Sequence, residues 1–302
     1  MKWTTETSAK IKRLEIQGAT EIAKSAVKAV TQDLLEADTN EQVERILGKG
    51  VKLLEEARAT EPMLRNGMKF MRFHVQDEWT TKQNFREKVA EASAEILNHF
   101  KEANKRIVEI GSKRIRDGDT ILTHCHSSAV TSTLIEVYKK GIDFKVIQTE
   151  TRPKFQGRIT ANELVEAGID TTMIIDSACR HFMKEVDFVL VGCDAITSEG
   201  NIINKIGTSQ VALAANEARV PFYVISSLLK FDPNTILGDY EVLEEREFAE
   251  VWEDPPENLK IRNPAFEVTR RDYVHGIISE MGIISPHSVL EAVDRCYPWV
   301  IE

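Results

Sequence analysis

From residue 119 onward the chain alternates short apolar runs with segments of helical periodicity. This constrains its fold more than any other feature of the sequence. The runs Thr120–Thr123, 144–149, 171–175, Phe188–Val191 and 222–226 have strand length. Between and after them, 129–140, 160–167, 178–183, 206–218 and 273–281 read as helices. Such alternation builds a parallel sheet, because each crossover to a parallel neighbour needs a helix-length connection. Runs that are apolar throughout, such as Val189-Leu190-Val191, suit a sheet covered on both faces. The pattern predicts an α/β fold, with a Rossmann-like, doubly wound, mainly parallel sheet domain over residues 116–302.

Residues 1–115 read differently. Ile11, Leu14, Ile16, Ile22, Ala23, Val27, Val30 and Leu34 roughly follow helical spacing, broken at Gly18. Further helical patterns cover 43–54, 63–73 and 85–115, and no strand pattern occurs, so a helical N-terminal domain is expected. With 302 residues, 42% apolar and 29% charged, the chain has the composition of a soluble globular protein. Its net charge of −9 argues against a nucleic-acid partner. No run of 18 apolar residues exists to span a membrane, and Met1-Lys2-Trp3-Thr4 lacks an apolar signal region. Four scattered cysteines fit a reducing, cytoplasmic setting better than a disulfide framework. The acidic stretch 241–257 reads as a solvated connection.

The segment Thr123-His124-Cys125-His126-Ser127-Ser128 joins a strand to a helix, at the sheet edge where open α/β folds bind ligands. Ser127 and Ser128 are suitable helix caps. A helix N-terminus favours negative charge, so Cys125 is expected to have a lowered thiol pKa and to react as thiolate. Two other readings stand beside this one. Cys125 is an inert buried cysteine, or His124 and His126, on one face of an extended segment, hold zinc. No second Cys/His pair at ligand spacing supports the metal.

Asp194 follows the apolar run Phe188–Val191 within Gly192-Cys193-Asp194-Ala195-Ile196. A carboxyl at a buried strand end suits general-acid chemistry, and equally suits capping of the next turn. In Asn201-Ile202-Ile203-Asn204-Lys205-Ile206-Gly207-Thr208-Ser209, an amide and an ammonium precede a Gly-Thr-Ser helix start. That arrangement can cradle phosphate or serve as an ordinary cap, although no Walker spacing is present. Arg152, Lys154 and Arg158 either meet an anion or form salt bridges across a subunit interface. Lys230 lies at the same sheet edge, as a ligand contact or a solvated loop lysine.

Taken together, Thr-His-Cys-His-Ser, Thr-Glu-Thr-Arg-Pro with Gln-Gly, Gly-x-Asp-Ala-Ile, Asn-Lys-Ile-Gly-Thr and Asn263-Pro264-Ala265-Phe266 occur in an order that resembles one family. They resemble the archaeal ribose-1,5-bisphosphate isomerases. These belong to one superfamily with the regulatory subunits of translation initiation factor 2B and with methylthioribose-1-phosphate isomerase. The resemblance covers nearly the whole chain and is strongest over 106–290.

It implies a helical domain followed by a Rossmann-like one. It also implies an aldose–ketose isomerase that makes ribulose 1,5-bisphosphate from ribose 1,5-bisphosphate in nucleotide salvage. By resemblance, Cys125 and Asp194 are the catalytic pair, with Asp194 opening the ring and Cys125 moving a proton. Gly18, Ala19, Arg58, Asn204, Lys205 and Lys230 fall on substrate-binding positions. No metal or other cofactor is implied. The family pairs into dimers, and its isomerases form hexamers as trimers of dimers. The isomerases carry Arg-Gly-Ala-Gly-Arg where this chain has Gln17-Gly18-Ala19-Thr20-Glu21. The alternative implied is a regulatory subunit that binds a sugar or nucleotide phosphate, with initiation factor 2 as partner. The non-enzymatic subunits have generally lost the cysteine–aspartate pair, and both residues are present here.

Overall fold

The computed structural model describes all residues except 59, 77, 78, 80 and 239–242. It divides into two compact units. One comprises Met1–Ala103, Leu229–Phe231 and Val293–Glu302; the other comprises Asn104–Leu228 and Asp232–Ala292. Among the described residues, no helix is long and apolar enough to cross a membrane.

The first unit is helical. It contains α1 (Lys2–Lys12), α2 (Ala19–Leu35), α3 (Asn40–Arg45), α4 (Val51–Glu55), α5 (Pro62–Val75) and the start of α6 (Lys82–Ser112). A π-helical turn, Ile46–Gly50, links α3 to α4. Ile22, Ala23, Ala26, Val27, Val30 and Leu34 recur every three or four residues on α2 and are fully buried. That stripe drives the packing of α2 against α1 and α5. Asp33 accepts the backbone N–H groups of Trp3 (3.2 Å) and Thr4 (2.9 Å), which have no intrahelical acceptor at the start of α1. On α5, buried Asn66 donates to the carbonyls of Leu229 (2.9 Å) and Phe231 (2.8 Å), so its amide brackets Lys230.

The second unit is built on a sheet. In chain order its elements are β1 (Thr120–Thr123), α7 (Ser128–Lys139), β2 (Lys145–Thr149), α8 (Gln156–Glu166), β3 (Asp170–Ile174), α9 (Cys179–Phe182), β4 (Phe188–Val191), β5 (Ala195–Ile196), β6 (Ile202–Lys205), α10 (Thr208–Ala218), β7 (Phe222–Ile225), β8 (Phe266–Thr269), β9 (Gly276–Ser279) and β10 (Gly282–Ile284). Helix α11 (Val289–Cys296) follows, and from Val293 onward, including α12 (Pro298–Ile301), the chain belongs to the first unit. The main sheet runs β10-β9-β7-β4-β1-β2-β3, parallel except for β10. Ile121 stands beside Val146 on one side and Phe188 on the other. These residues share a core with Leu134, Val137, Leu190, Ile225 and Ile278. Strands β5, β6 and β8 make a small antiparallel sheet.

The structure corrects three expectations. Residues 273–281 form no α-helix; Gly276–Ser279 is a strand of the main sheet, because Ile277 and Ile278 are both fully buried between neighbours. Asn204 and Lys205 lie on a strand, β6, which is missing from the strands expected from the sequence. The acidic stretch, whose first two residues, Glu241 and Val242, lie outside the described residues, is from 243 onward engaged with the rest of the chain rather than merely solvated. Glu245 grips Arg262 through both carboxylate oxygens (2.8 and 2.7 Å), and Glu250 pairs with Lys154 at 3.6 Å.

Candidate active site

Strand β1 is flanked by β2 on one side and β4 on the other. Crossovers therefore leave in opposite directions from this point, opening a crevice at the carboxyl ends of β1 and β4. Cys125 lies just beyond the end of β1, and Asp194 just beyond the end of β4. The two loops approach so closely that a β-carbon on Gly192 would stand 2.5 Å from Ser127 Oγ, so only glycine fits there. Ser127 is the N-cap residue of α7, as expected, but its side chain makes no capping hydrogen bond.

The backbone at Cys125 is left-handed, with φ of 68°. This conformation costs a β-carbon-bearing residue roughly 1–2 kcal/mol and persists only where surrounding bonds enforce it. Here the Cys125 N–H donates to Thr151 Oγ1 (2.9 Å), and its carbonyl accepts from Gln148 Nε2 and Thr160 Oγ1, both at 3.1 Å. Thr151 is itself left-handed, with φ of 62°. Its N–H and that of Arg152 donate to the two carboxylate oxygens of Asp176, at 2.8 and 2.7 Å.

His124 and His126 face separate partners. Nε2 of buried His124 lies 2.9 Å from the Ile206 carbonyl and must carry the proton, so Nδ1 accepts from the Thr149 hydroxyl at 2.6 Å. Burial pushes its pKa down, and the ring is a neutral bridge between the β1 and β6 loops. His126 Nδ1 pairs with Thr160 Oγ1 at 3.1 Å. Among the described residues, no group of three His, Cys, Asp or Glu side chains could hold a metal ion.

Lys205 is 6% exposed, with Nζ 4.5 Å above the ring of Phe266. Asn204 donates to Thr208 Oγ1 at 3.0 Å. The start of α10, a candidate phosphate cradle, already holds an anion of this chain. Glu267 Oε1 accepts the N–H groups of Gly207 (2.7 Å) and Ser209 (2.8 Å).

The Cys125 thiol differs from its sequence expectation. Burial pushes its pKa up to about 11; Lys205 pulls it down, while Asp194 and Asp176 push it further up. Desolvation disfavours the thiolate more strongly than the nearby helix start and ammonium favour it. The resting group at neutral pH is therefore a thiol. The same interactions bring Cys125, Asp194 and Lys205 into one electrostatic neighbourhood.

The basic loop after β2 is engaged within the chain. Arg152 donates to the Val251 carbonyl (3.0 Å), Lys154 pairs with Glu250, and Arg158 lies 3.8 Å over the Phe155 ring. Gly18, Ala19, Arg58 and Lys230 belong to the helical unit. Gly18, with φ of 81°, precedes α2, which begins at Ala19. Arg58 pairs with buried Glu61 at 3.5 Å, and Lys230 ends a short 3-10 turn.

The profile of the Initiation factor 2 subunit family matches residues 15–286. The chain belongs to that family. It is similar to a protein named ribose 1,5-bisphosphate isomerase from Methanocaldococcus jannaschii, with 43% identity over 299 residues, 98% of this chain and 96% of the relative. Among solved structures, it resembles the translation initiation factor eIF-2B of Pyrococcus horikoshii OT3. That match has a TM-score of 0.82 and 32% identity, and covers 94% of this chain and 97% of the other. It also resembles 5-methylthioribose 1-phosphate isomerase from Pyrococcus horikoshii OT3, with a TM-score of 0.80 and 26% identity over 97% of this chain and 87% of that one. The helical region followed by a mainly parallel sheet is thus the fold of this family.

Within this family member, sequence reasoning missed Thr151, Asp176, Gln148, Thr160 and Glu267. Asp176 carried one usable signal, a carboxylate two residues beyond β3 at the same sheet edge as Cys125. The others use their side chains to hold backbone groups of Cys125, Gly207 and Ser209, pairings that residue type does not mark.

Proposed function

We propose that this chain is a sugar-phosphate isomerase that converts ribose 1,5-bisphosphate to ribulose 1,5-bisphosphate in nucleotide salvage. One observation carries the reading: a thiol and a carboxyl leave adjacent parallel strands at the switch point, beside the buried ammonium of Lys205. The name of the Methanocaldococcus relative supports the substrate.

A thiol with a pKa near 11 is a proton donor before it is a base, which reverses the roles implied by the resemblance. In our scheme, Cys125 gives its proton to the ring oxygen as the C1–O ring bond breaks. Asp194, as carboxylate, takes the proton from C2, and the electron pair of that bond forms the C1–C2 double bond of an enol. The Cys125 thiolate then takes the C2 hydroxyl proton. Asp194 returns its proton to C1 as the C2 carbonyl forms. Both residues end as they began, and no electrons enter or leave. Lys205 and Asn204 bind phosphate and hydroxyl groups on the sheet unit; Lys230, Arg58 and the amides of Gly18 and Ala19, on the helical unit, are the further substrate positions that the resemblance implies. With this reading go a cytoplasmic location and a homo-oligomer of at least two chains, which light scattering at micromolar concentration tests.

The test is turnover of ribose 1,5-bisphosphate by purified protein, followed by phosphorus NMR. Cys125→Ser and Asp194→Asn should each reduce it by roughly a thousandfold, within the usual range for acid–base groups. Turnover of 5-methylthioribose 1-phosphate instead would move the substrate assignment. A second reading, a regulatory subunit that binds phosphate without turnover, draws on the eIF-2B neighbour and on Gln17 and Glu21 in place of arginines. Tight binding of a sugar or nucleotide phosphate with no turnover would favour it.

A further inference from the structure

We propose that Thr151 and Asp176 are positioning residues for Cys125, forming a two-step brace that sets where its side chain points. This rests on the acid–base reading of Cys125.

The brace begins at the end of β3. Asp176 spends both carboxylate oxygens on consecutive backbone N–H groups, Thr151 and Arg152. Two such bonds fix the peptide between them and hold Thr151 in its left-handed conformation. Thr151 Oγ1 is thereby brought to 2.9 Å from the Cys125 N–H. The Thr151 hydroxyl turns its own proton towards the Thr149 carbonyl at 3.4 Å, which leaves a lone pair for Cys125. On the far side of Cys125, Gln148 and Thr160 hold the carbonyl. Both peptide groups of a left-handed cysteine are therefore fixed from outside its own loop. Rotation of either peptide would swing Cβ, and with it Sγ, away from the crevice between β1 and β4. Asp176 has a second effect: its negative charge raises the Cys125 pKa, as that of Asp194 does, against the pull of Lys205. One residue just beyond β3 thus orients the thiol and helps to keep its proton on.

Three substitutions test the brace: Thr151→Val, which keeps shape but loses the acceptor, Thr151→Ser, which keeps the acceptor, and Asp176→Asn. Each is checked for folding by thermal unfolding, then assayed for kcat and KM with ribose 1,5-bisphosphate. The rate of Cys125 alkylation by iodoacetamide is followed against pH by peptide mass mapping. Thr151→Val should lower kcat about a hundredfold, the usual cost of a small misplacement of a reacting group, with KM within a few-fold. Thr151→Ser should recover most of that loss. Asp176→Asn should also lower kcat and should move the alkylation midpoint to lower pH. Parent-like kcat in Thr151→Val, or equal losses in Val and Ser variants, overturns the proposal. If Thr151→Val does not fold, an unchanged kcat in Asp176→Asn overturns it. If Cys125→Ser is itself active, the acid–base reading fails, and the alkylation rates still decide. A changed rate in Thr151→Val restored in Thr151→Ser supports the brace, and identical rates in all three forms refute it.

Discussion

The His124 ring lies directly against Gly207: a β-carbon on Gly207 would stand 2.8 Å from Cε1 and 2.9 Å from Nε2. Gly207 also has φ of 102°, a conformation that side chains rarely adopt. Gly207→Ala should therefore destabilise the protein by about 1–3 kcal/mol, combining backbone strain with displacement of a buried ring. Urea unfolding at neutral pH measures this. An unchanged midpoint would mean that the ring yields freely and does not brace the β6 loop.

Cys125 should be a poor nucleophile in the resting protein. With a pKa of about 11 against about 8.5 for a free thiol, its thiolate fraction at pH 8 is roughly two hundredfold lower. The alkylation rate should climb about tenfold per pH unit up to about 11. Stability follows the same groups. Unfolded thiols ionise first, so the contribution of Cys125 is complete below the unfolded pKa and is lost as pH rises from there through about 11. Fast alkylation at neutral pH would refute the assignment of a thiol.

Asp33 should make the helical unit sensitive to acid. Burial raises its pKa, but hydrogen bonds from Thr4 and Trp3 outweigh this, and the net direction is down. A lowered carboxylate contributes stability above its unfolded pKa, near 3.9, and loses it as pH falls through the folded value. Asp33→Ala should lower stability by about 1 kcal/mol at pH 7, as for other lost caps, and by less below pH 3. Denaturation at the two pH values tests both parts.

The loop before α2 offers an engineering test of phosphate binding. Gln17 donates to the Leu14 carbonyl at 2.8 Å, and Glu21 pairs with Lys24 at 2.8 Å, so neither presents a cation. Gln17→Arg combined with Glu21→Arg should tighten ribose 1,5-bisphosphate about tenfold or more, the worth of one charge-assisted hydrogen bond. Titration calorimetry with the bisphosphate and with a sugar monophosphate reads the effect. If neither tightens, this loop does not hold phosphate.

How much of this was legible in the sequence depended on where each group finds its partner. Strands Thr120–Thr123 and Phe188–Val191 were readable to the residue, because their apolar runs begin and end at polar or glycine turns. The edge carrying Cys125 and Asp194 followed from them. Ile277, Ile278 and Met281 also satisfy helical spacing, so the strand at 276–279 was hidden by a pattern that fits both structures. Strand β6 was hidden for another reason. Asn204 and Lys205 are polar but buried, and contacts such as those with Thr208 and Phe266, which make that tolerable, are invisible in the sequence. The direction of the Cys125 pKa is not legible, because helix position is visible in sequence, whereas the burial that outweighs it is a property of the packed site.

The pairing of β6 with β8 also sets a timetable. Lys205 lies opposite Phe266 in the ladder, about 60 residues later in the chain. At roughly 5–20 residues per second, a ribosome takes several seconds to cover that distance. During that interval Lys205 has been made but the aromatic ring beneath its ammonium has not, and Glu267 is not yet available to α10. A nascent polypeptide halted before residue 266 thus holds every proposed acid, base and phosphate ligand without the strand that seats Lys205.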